Sequence, residues 1–101
     1  ENVYPSEVED VLFAHDDVVE AAVVGEPDDE WGERVVAYIV GEADAETLDA
    51  YMLETDRLAD FKRPRAYYFV EELPKNPSGK VQKFRLRSDE VDPEGTAVAE
   101  D

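Results

Sequence analysis

VVEAAVVGEPDDEWGERVVAYIVG, residues 18–41, is the most strongly β-patterned stretch of the sequence. Its two arms, residues 18–24 and 34–41, are rich in Val, which favours strands. Between the arms stand Gly25, Pro27 and three consecutive acidic residues, a composition typical of a turn. Two strands joined by one polar turn predict an antiparallel hairpin, which is the simplest pairing for this stretch.

Helices and a third strand are predicted on either side of this hairpin. Residues 4–15 have apolar side chains at helical spacing, and Ser6 with Glu9 predicts a capping box at the start of the helix. Further along, the patterns predict a helix at 44–61, a strand at 66–73, a loop at 74–80 and a short helix at 81–88. The order α-β-β-α-β-α predicts a small α+β domain, a three-stranded sheet with helices packed on it.

The bulk composition excludes several classes of protein. The chain has 101 residues, enough for one domain, and it has no cysteine for a disulfide or a thiolate site. It has one histidine, so neither a metal site nor a Ser-His-Asp arrangement is supported. No apolar run is long enough to span a membrane, and the N-terminus lacks signal-peptide features. We expect a cytoplasmic location, and the missing initiator Met suggests a piece of a longer protein.

The charge is strongly acidic and unevenly distributed. Asp and Glu number 27 against 10 Lys and Arg, giving a net charge of −17. Such acidity fits either a halophilic host or a merely acidic domain with disordered acidic ends. Eight of the ten basic residues fall within residues 62–87, which indicates an anionic partner. The acidic surroundings disfavour a nucleic acid, so a small phosphorylated ligand fits better.

Lys80 stands in the loop PSGKV, residues 77–81, between a predicted strand and a predicted helix. The loop is not a P-loop, because residue 74 is Pro where Gly is needed and Val81 replaces the required Ser or Thr. From this loop alone, Lys80 is either a functional cation or an ordinary surface lysine.

Two further features have both a structural and a functional interpretation. Trp31 lies in the polar turn, where it would either cover the edge of the core or offer a stacking face. The segment FKRPR, residues 61–65, combines an aromatic ring with three bases, which suits stacking on a base and pairing with phosphates. It is equally suited to a charged helix C-terminus.

Taken together, three segments resemble one family. They are NVYPSEVE at residues 2–9, Trp-Gly-Glu at 31–33 and LPKNPSGKVQK at 73–83. In order and spacing they resemble the C-terminal domain of the acyl-adenylate-forming superfamily, which includes acyl- and aryl-CoA synthetases, luciferases and peptide-synthetase adenylation domains. The resemblance covers residues 1–88, and residues 89–101 are predicted to be a disordered acidic tail.

The resemblance implies a two-step, ATP-dependent ligase in which this domain is the mobile lid. An N-terminal domain would bind ATP, Mg²⁺ and a carboxylic acid, and this smaller domain would rotate over it between the two steps. Lys80 matches the catalytic lysine of the first step, formation of the acyl-adenylate. Because the chain begins after the family's hinge, we expect it not to catalyse the complete reaction alone.

The resemblance also implies a CoA-binding surface for the second step. Its members are Val3 and Tyr4 beside the pantetheine, with Trp31, Phe61, Arg63 and Arg65 beside the nucleotide. No metal ligand is implied within this chain. The sequence is more similar to fatty-acid or aryl-CoA ligases than to peptide-synthetase modules.

Two alternatives to an acyl-CoA synthetase remain open at the level of sequence. In the first, the acyl group passes to the phosphopantetheine of a carrier protein, and the nucleotide contacts are unnecessary. In the second, the chain is a stand-alone module that binds a small anion.

Overall fold

The computed structural model describes residues 5–28, 32–55 and 63–86. Its elements are helix α1 (Pro5–Phe13), strands β1 (Val18–Asp28) and β2 (Gly32–Gly41), helix α2 (Ala45–Glu54), strand β3 (Ala66–Phe69) and a 3₁₀ turn at Lys83–Arg85. The predicted α+β class is confirmed: two helices accompany a three-stranded mixed sheet.

The sheet has the strand order β1-β2-β3. Strands β1 and β2 pair antiparallel over almost their whole length, from Asp28 opposite Gly32 to Val18 opposite Gly41, so the predicted hairpin is confirmed. Strand β3 pairs parallel with β2, Val36 opposite Ala66. A parallel pair needs a long crossover connection, and the segment containing α2 provides it.

Helices α1 and α2 cover one face of the sheet. Side chains of successive strand residues point to opposite faces, so Ala37, Ile39 and Tyr67 face the helices. They pack there against Leu12 of α1 and Leu48 of α2, all fully buried. This face holds the larger of the two apolar clusters, and it joins both helices to the sheet.

The C-terminal segment, residues 73–86, covers the other face of the sheet. Tyr38 and Tyr68 lie on this face with their rings 5.2 Å apart. Leu73 is buried beside them, and Val81 and Leu86 pack against the same cluster. Burial on both faces explains why the centre of β2 reads as a continuous apolar run rather than an alternating one. The packing of Leu73 and Val81 on this face also attaches the segment around residue 80 to the sheet.

The predicted capping box of α1 is wrong. Ser6 lies inside the helix, which begins at Pro5, and the carboxylate of Glu9 turns towards the sheet. Its Oε2 accepts a hydrogen bond from the backbone N of Val23 at 2.8 Å and an ion pair from Lys83 at 2.7 Å. The Glu9 carboxylate, which a capping box would have used within the helix, is therefore bound by Val23 and Lys83 instead.

The predicted C-terminal helix at 81–88 is also wrong within the described residues. Val81 forms a β-bridge with Lys75, and only Lys83–Arg85 turn, in 3₁₀ form. An α-helix here would lift Val81 and Leu86 away from the sheet face that they cover. Strand β3 is shorter than predicted and ends at Phe69, and the second half of the predicted helix at 44–61 lies largely outside the described residues.

Candidate functional site

The loop that contains Lys80 is a small closed hairpin. Lys75 and Val81 pair as an antiparallel bridge, and the backbone N of Gln82 donates to the carbonyl of Pro74 at 2.9 Å. Leu73 before the loop is buried, and Val81 after it is half-buried against the sheet. Both ends of the loop are therefore held by the core.

Asn76 organises the tip of this loop. Its side-chain Oδ1 accepts hydrogen bonds from the backbone N of Ser78 at 3.0 Å, from the Ser78 hydroxyl at 3.0 Å and from the backbone N of Lys80 at 2.9 Å. Its backbone N also donates to the carbonyl of Lys80 at 2.9 Å. The main chain of Lys80 is thus held on both sides by one residue.

Gly79 completes the turn. Its N donates to the carbonyl of Asn76 at 2.8 Å, which closes a four-residue turn with Pro77 in the second position. Its φ of +89° lies in a region that favours glycine, and nothing within 4 Å would obstruct a side chain there. Backbone conformation, rather than space, therefore requires glycine immediately before Lys80.

Lys80 differs from the two other described lysines. Lys75 pairs with Glu20 at 2.8 Å and Lys83 with Glu9 at 2.7 Å. Lys80 is exposed, and within the described parts of the chain its ammonium has no hydrogen bond or ion pair. A cation that is held on an ordered loop without a counter-charge is suited to meeting an anion from outside the domain.

Arg63 is buried and forms an ion pair with the half-buried Asp49. The residue is 7% exposed, and its Nη1 donates to Asp49 Oδ1 at 2.7 Å and to Oδ2 at 2.9 Å. The hydroxyl of Tyr67 donates to the same carboxylate at 3.2 Å. Burial, followed by the charge of Asp49, raises the pKa of Tyr67 well above its ordinary value, so this phenol stays protonated as a donor. The network fastens the start of β3 to α2.

Arg65 lies at the other end of the sheet from the Lys80 loop. Its backbone N donates to the carbonyl of Val35 at 2.7 Å, near the beginning of β2. The Lys80 loop follows the end of β3, and Lys75 joins it to Glu20, which lies opposite Val40 near the end of β2. The main chain of Arg65 is therefore attached near the start of β2, and the Lys80 loop is attached near the end of β2.

Four predicted site residues, Val3, Tyr4, Trp31 and Phe61, lie outside the described residues. Within the described ranges, no group of three or more His, Asp or Glu side chains could hold a metal ion. Among the helices described, none is both long and apolar enough to cross a bilayer.

Sequence reasoning missed Asn76 and Asp49. Asn76 carried a usable signal, because Asn before Pro in a loop favours a turn closed by its own side chain. Asp49 carried none, since nothing in the sequence distinguishes it from the other acidic residues.

The family model for the AMP-binding enzyme C-terminal domain matches residues 7–80. This match begins in α1, spans the sheet and α2, and ends on Lys80. The chain belongs to this family. Because the family is described as a domain of enzymes, the match does not favour a stand-alone anion-binding module.

Relatives of known activity support the same assignment. A 2-succinylbenzoate–CoA ligase of Bacillus pumilus is 44% identical over 88 residues, covering 87% of this chain and 18% of the relative. A fatty acid–[acyl-carrier-protein] ligase of Streptomyces coeruleorubidus is 45% identical over 89 residues, covering 86% and 17%. The chain thus spans less than a fifth of the length of the curated relatives it matches.

Solved structures agree with these relatives. The o-succinylbenzoate CoA synthetase of Bacillus subtilis, in complex with its acyl-adenylate intermediate, superimposes with a TM-score of 0.79 at 40% identity. The match covers 87% of this chain and 18% of that one. The fold described above is therefore that of a C-terminal domain of acyl- and aryl-CoA ligases.

Proposed function

We propose that this chain is the lid domain of an ATP-dependent acyl-CoA synthetase that activates a fatty or aromatic acid. In the first step a carboxylate oxygen attacks the α-phosphorus of ATP, and the bond from that phosphorus to pyrophosphate breaks. In the second, the thiol of CoA loses its proton and attacks the acyl carbon, and AMP leaves. An N-terminal domain of the same enzyme would bind ATP, Mg²⁺ and the acid.

Lys80 is the residue of this chain that we assign to the first step. Its ammonium would lie against the carboxylate and the bridging oxygen, where negative charge develops as pyrophosphate departs. A preplaced cation stabilises such charge strongly in a site from which water is excluded. The observation that carries the proposal is an exposed ammonium, unpaired within the described residues, at the end of the region that matches the family.

The acceptor of the acyl group is assigned to CoA. Arg65, with Phe61 and Trp31, would contact the CoA nucleotide, while Val3 and Tyr4 would line the path of the pantetheine. Because Arg63 already pairs with Asp49, it would contribute mainly by holding this segment against α2. One relative is named for a carrier-protein acceptor, so thioester formation with free CoA is the measurement that separates the two acceptors.

The setting that we propose is the cytoplasm, where ATP and CoA are available, in a host with high internal salt. The net charge of −17 supports the second part, because salt screens the repulsion among so many carboxylates.

The test of the proposed function is Lys80→Ala in the complete enzyme. Acid-dependent exchange of pyrophosphate into ATP should fall by about 100-fold or more, since a single preplaced charge-stabilising group contributes that much. Thioester formation from supplied acyl-adenylate and CoA should continue, because the first step is bypassed. Exchange at the wild-type rate would overturn the assignment of Lys80.

Lys75→Ala is the matched control. It removes the same charge from the same loop, but Lys75 is paired with Glu20 on the surface. Exposed ion pairs contribute little to stability, so exchange should stay close to the wild-type rate. An equal loss in both variants would indicate a general effect of loop charge and not a specific role for Lys80.

A further inference from the structure

We infer that Asn76 is the positioning residue for Lys80, so that its side chain sets the rate of the adenylation step. This inference rests on the proposed function of Lys80 and deepens it. It assigns to Asn76 no contact with substrate, and the effect is exerted through the main chain of Lys80.

The tip of the loop has no packing to hold it. Pro77, Ser78, Gly79 and Lys80 are all exposed. The buried and half-buried anchors, Leu73 and Val81, fix only the two ends. The conformation of the tip therefore depends on hydrogen bonds, and those bonds converge on Asn76.

One oxygen atom supplies most of these bonds. Asn76 Oδ1 accepts from Ser78 N, Ser78 Oγ and Lys80 N, all between 2.9 and 3.0 Å. The backbone of Asn76 adds a bond to Lys80 and one from Gly79. Replacing the side chain leaves the backbone bonds possible but removes the acceptor that orients the N–H of Lys80.

The chemistry of the proposed reaction makes this orientation matter. Lys80 reaches its target through a flexible four-carbon stem, so its Cα must be well placed for the ammonium to meet the developing charge. A displacement of about 1 Å in a reacting group can cost about 100-fold in rate. Ordering the loop before substrate binds also avoids a loss of entropy during the reaction.

The choice of Asn follows from what the site needs. A hydroxyl at this position accepts the same bonds more weakly, and a methyl group does not accept them. Asn76→Ser should therefore be intermediate and Asn76→Ala the more impaired. A graded order of this kind is a signature of the side-chain acceptor and not of the loop's length or charge.

The experiment compares Asn76→Ala, Asn76→Ser and wild type in the complete enzyme. For Asn76→Ala, kcat for pyrophosphate exchange should fall by roughly 10- to 100-fold. The KM for ATP and the rate of thioester formation from supplied acyl-adenylate should be unchanged. Hydrogen–deuterium exchange of the peptide containing residues 76–82 should become faster, while the peptides of β2 keep their protection.

A double substitution separates positioning from a general structural effect. In a Lys80→Ala background, Asn76→Ala should cause little further loss of exchange activity, because the group that it positions is gone. An equal fold-loss in both backgrounds, or wild-type exchange in Asn76→Ala, would overturn the inference. Failure of the proposed function is recognised differently: Lys80→Ala alone would then keep full activity, whatever the deuterium exchange of the loop shows.

Discussion

Arg63 and Arg65 are two residues apart, yet they have different surroundings. Arg63 is buried and donates to both oxygens of Asp49, whereas Arg65 is half-buried at the start of β3. Removing a buried donor that makes two charge-assisted hydrogen bonds costs free energy, because its half-buried acceptor is only partly reached by solvent. The two arginines should therefore respond differently to the same substitution.

Arg63→Ala should destabilise this chain by about 1–3 kcal/mol, since it removes two charge-assisted hydrogen bonds to the half-buried carboxylate of Asp49. Arg65→Ala should cost less in stability and, in the complete enzyme, should raise the KM for CoA without changing pyrophosphate exchange. Urea-induced unfolding and CoA titration measure the two effects. Equal stability of both variants would contradict the structural role of the Arg63–Asp49 pair.

At this scale the sequence predicted the position of Lys80 but not the partners of the basic residues. Lys80 could be proposed as a site residue because its neighbours form a recognisable motif. Asp49 and Glu9 were not found, because both lie on helices far away in sequence and tertiary packing selects them. A partner chosen from 27 acids leaves no local pattern.

Helix α2 begins with a side-chain cap. Asp44 precedes the helix, and its Oδ1 accepts a hydrogen bond from the backbone N of Thr47 at 2.8 Å. Hydrogen bonds from the side chain of Thr47 and then from its backbone N lower the pKa of Asp44 below its ordinary value. A carboxyl group whose pKa is lower in the folded state stabilises the fold when ionised, and its contribution is lost as pH falls through the folded pKa.

The prediction for α2 compares Asp44→Asn with wild type. Asn also caps helices but does not titrate. The stability advantage of wild type should therefore be complete above about pH 4, the ordinary value for Asp, and should shrink as pH falls further. Urea unfolding at pH 6 and pH 3 measures it, and the comparison cancels the other carboxylates. An advantage that grows towards pH 3 would show that the sign is wrong.

The elements themselves were more predictable than their ends. The hairpin follows from the two β-branched arms of residues 18–41 and their polar turn. The end of β3 does not follow from local sequence, because β3 ends at Phe69, where its pairing with β2 stops opposite Ile39. The path of residues 81–86 is set by packing on the sheet face that the helices leave uncovered. That packing is tertiary, so the local sequence of residues 81–86 does not predict it.

The whole molecule places its two candidate surfaces at opposite ends of one sheet. Arg65 is attached near the start of β2, and the Lys80 loop is attached near its end. This placement is consistent with the proposed lid function, in which the domain turns between two chemical steps.

Charge is the other property of the whole molecule. Described ion pairs link the basic C-terminal segment to acids nearer the N-terminus: Lys75 with Glu20, Lys83 with Glu9, and Arg63 with Asp49. The basic segment therefore supplies counter-charge within the fold as well as surfaces for ligands. The 27 acids outnumber the ten bases by 17, so repulsion among carboxylates remains.

Salt should therefore stabilise this chain. Raising NaCl from about 0.01 M to 1 M shortens the screening length from about 30 Å to 3 Å, which removes long-range repulsion. The exposed ion pairs that salt also weakens contribute less than about 1 kcal/mol each. We expect the midpoint of urea-induced unfolding, measured by circular dichroism, to rise with salt. A triple variant, Asp10→Asn, Asp16→Asn and Glu54→Gln, should respond less, since it carries three fewer exposed charges. A midpoint that is already maximal in dilute buffer would contradict both the repulsion argument and the high-salt host.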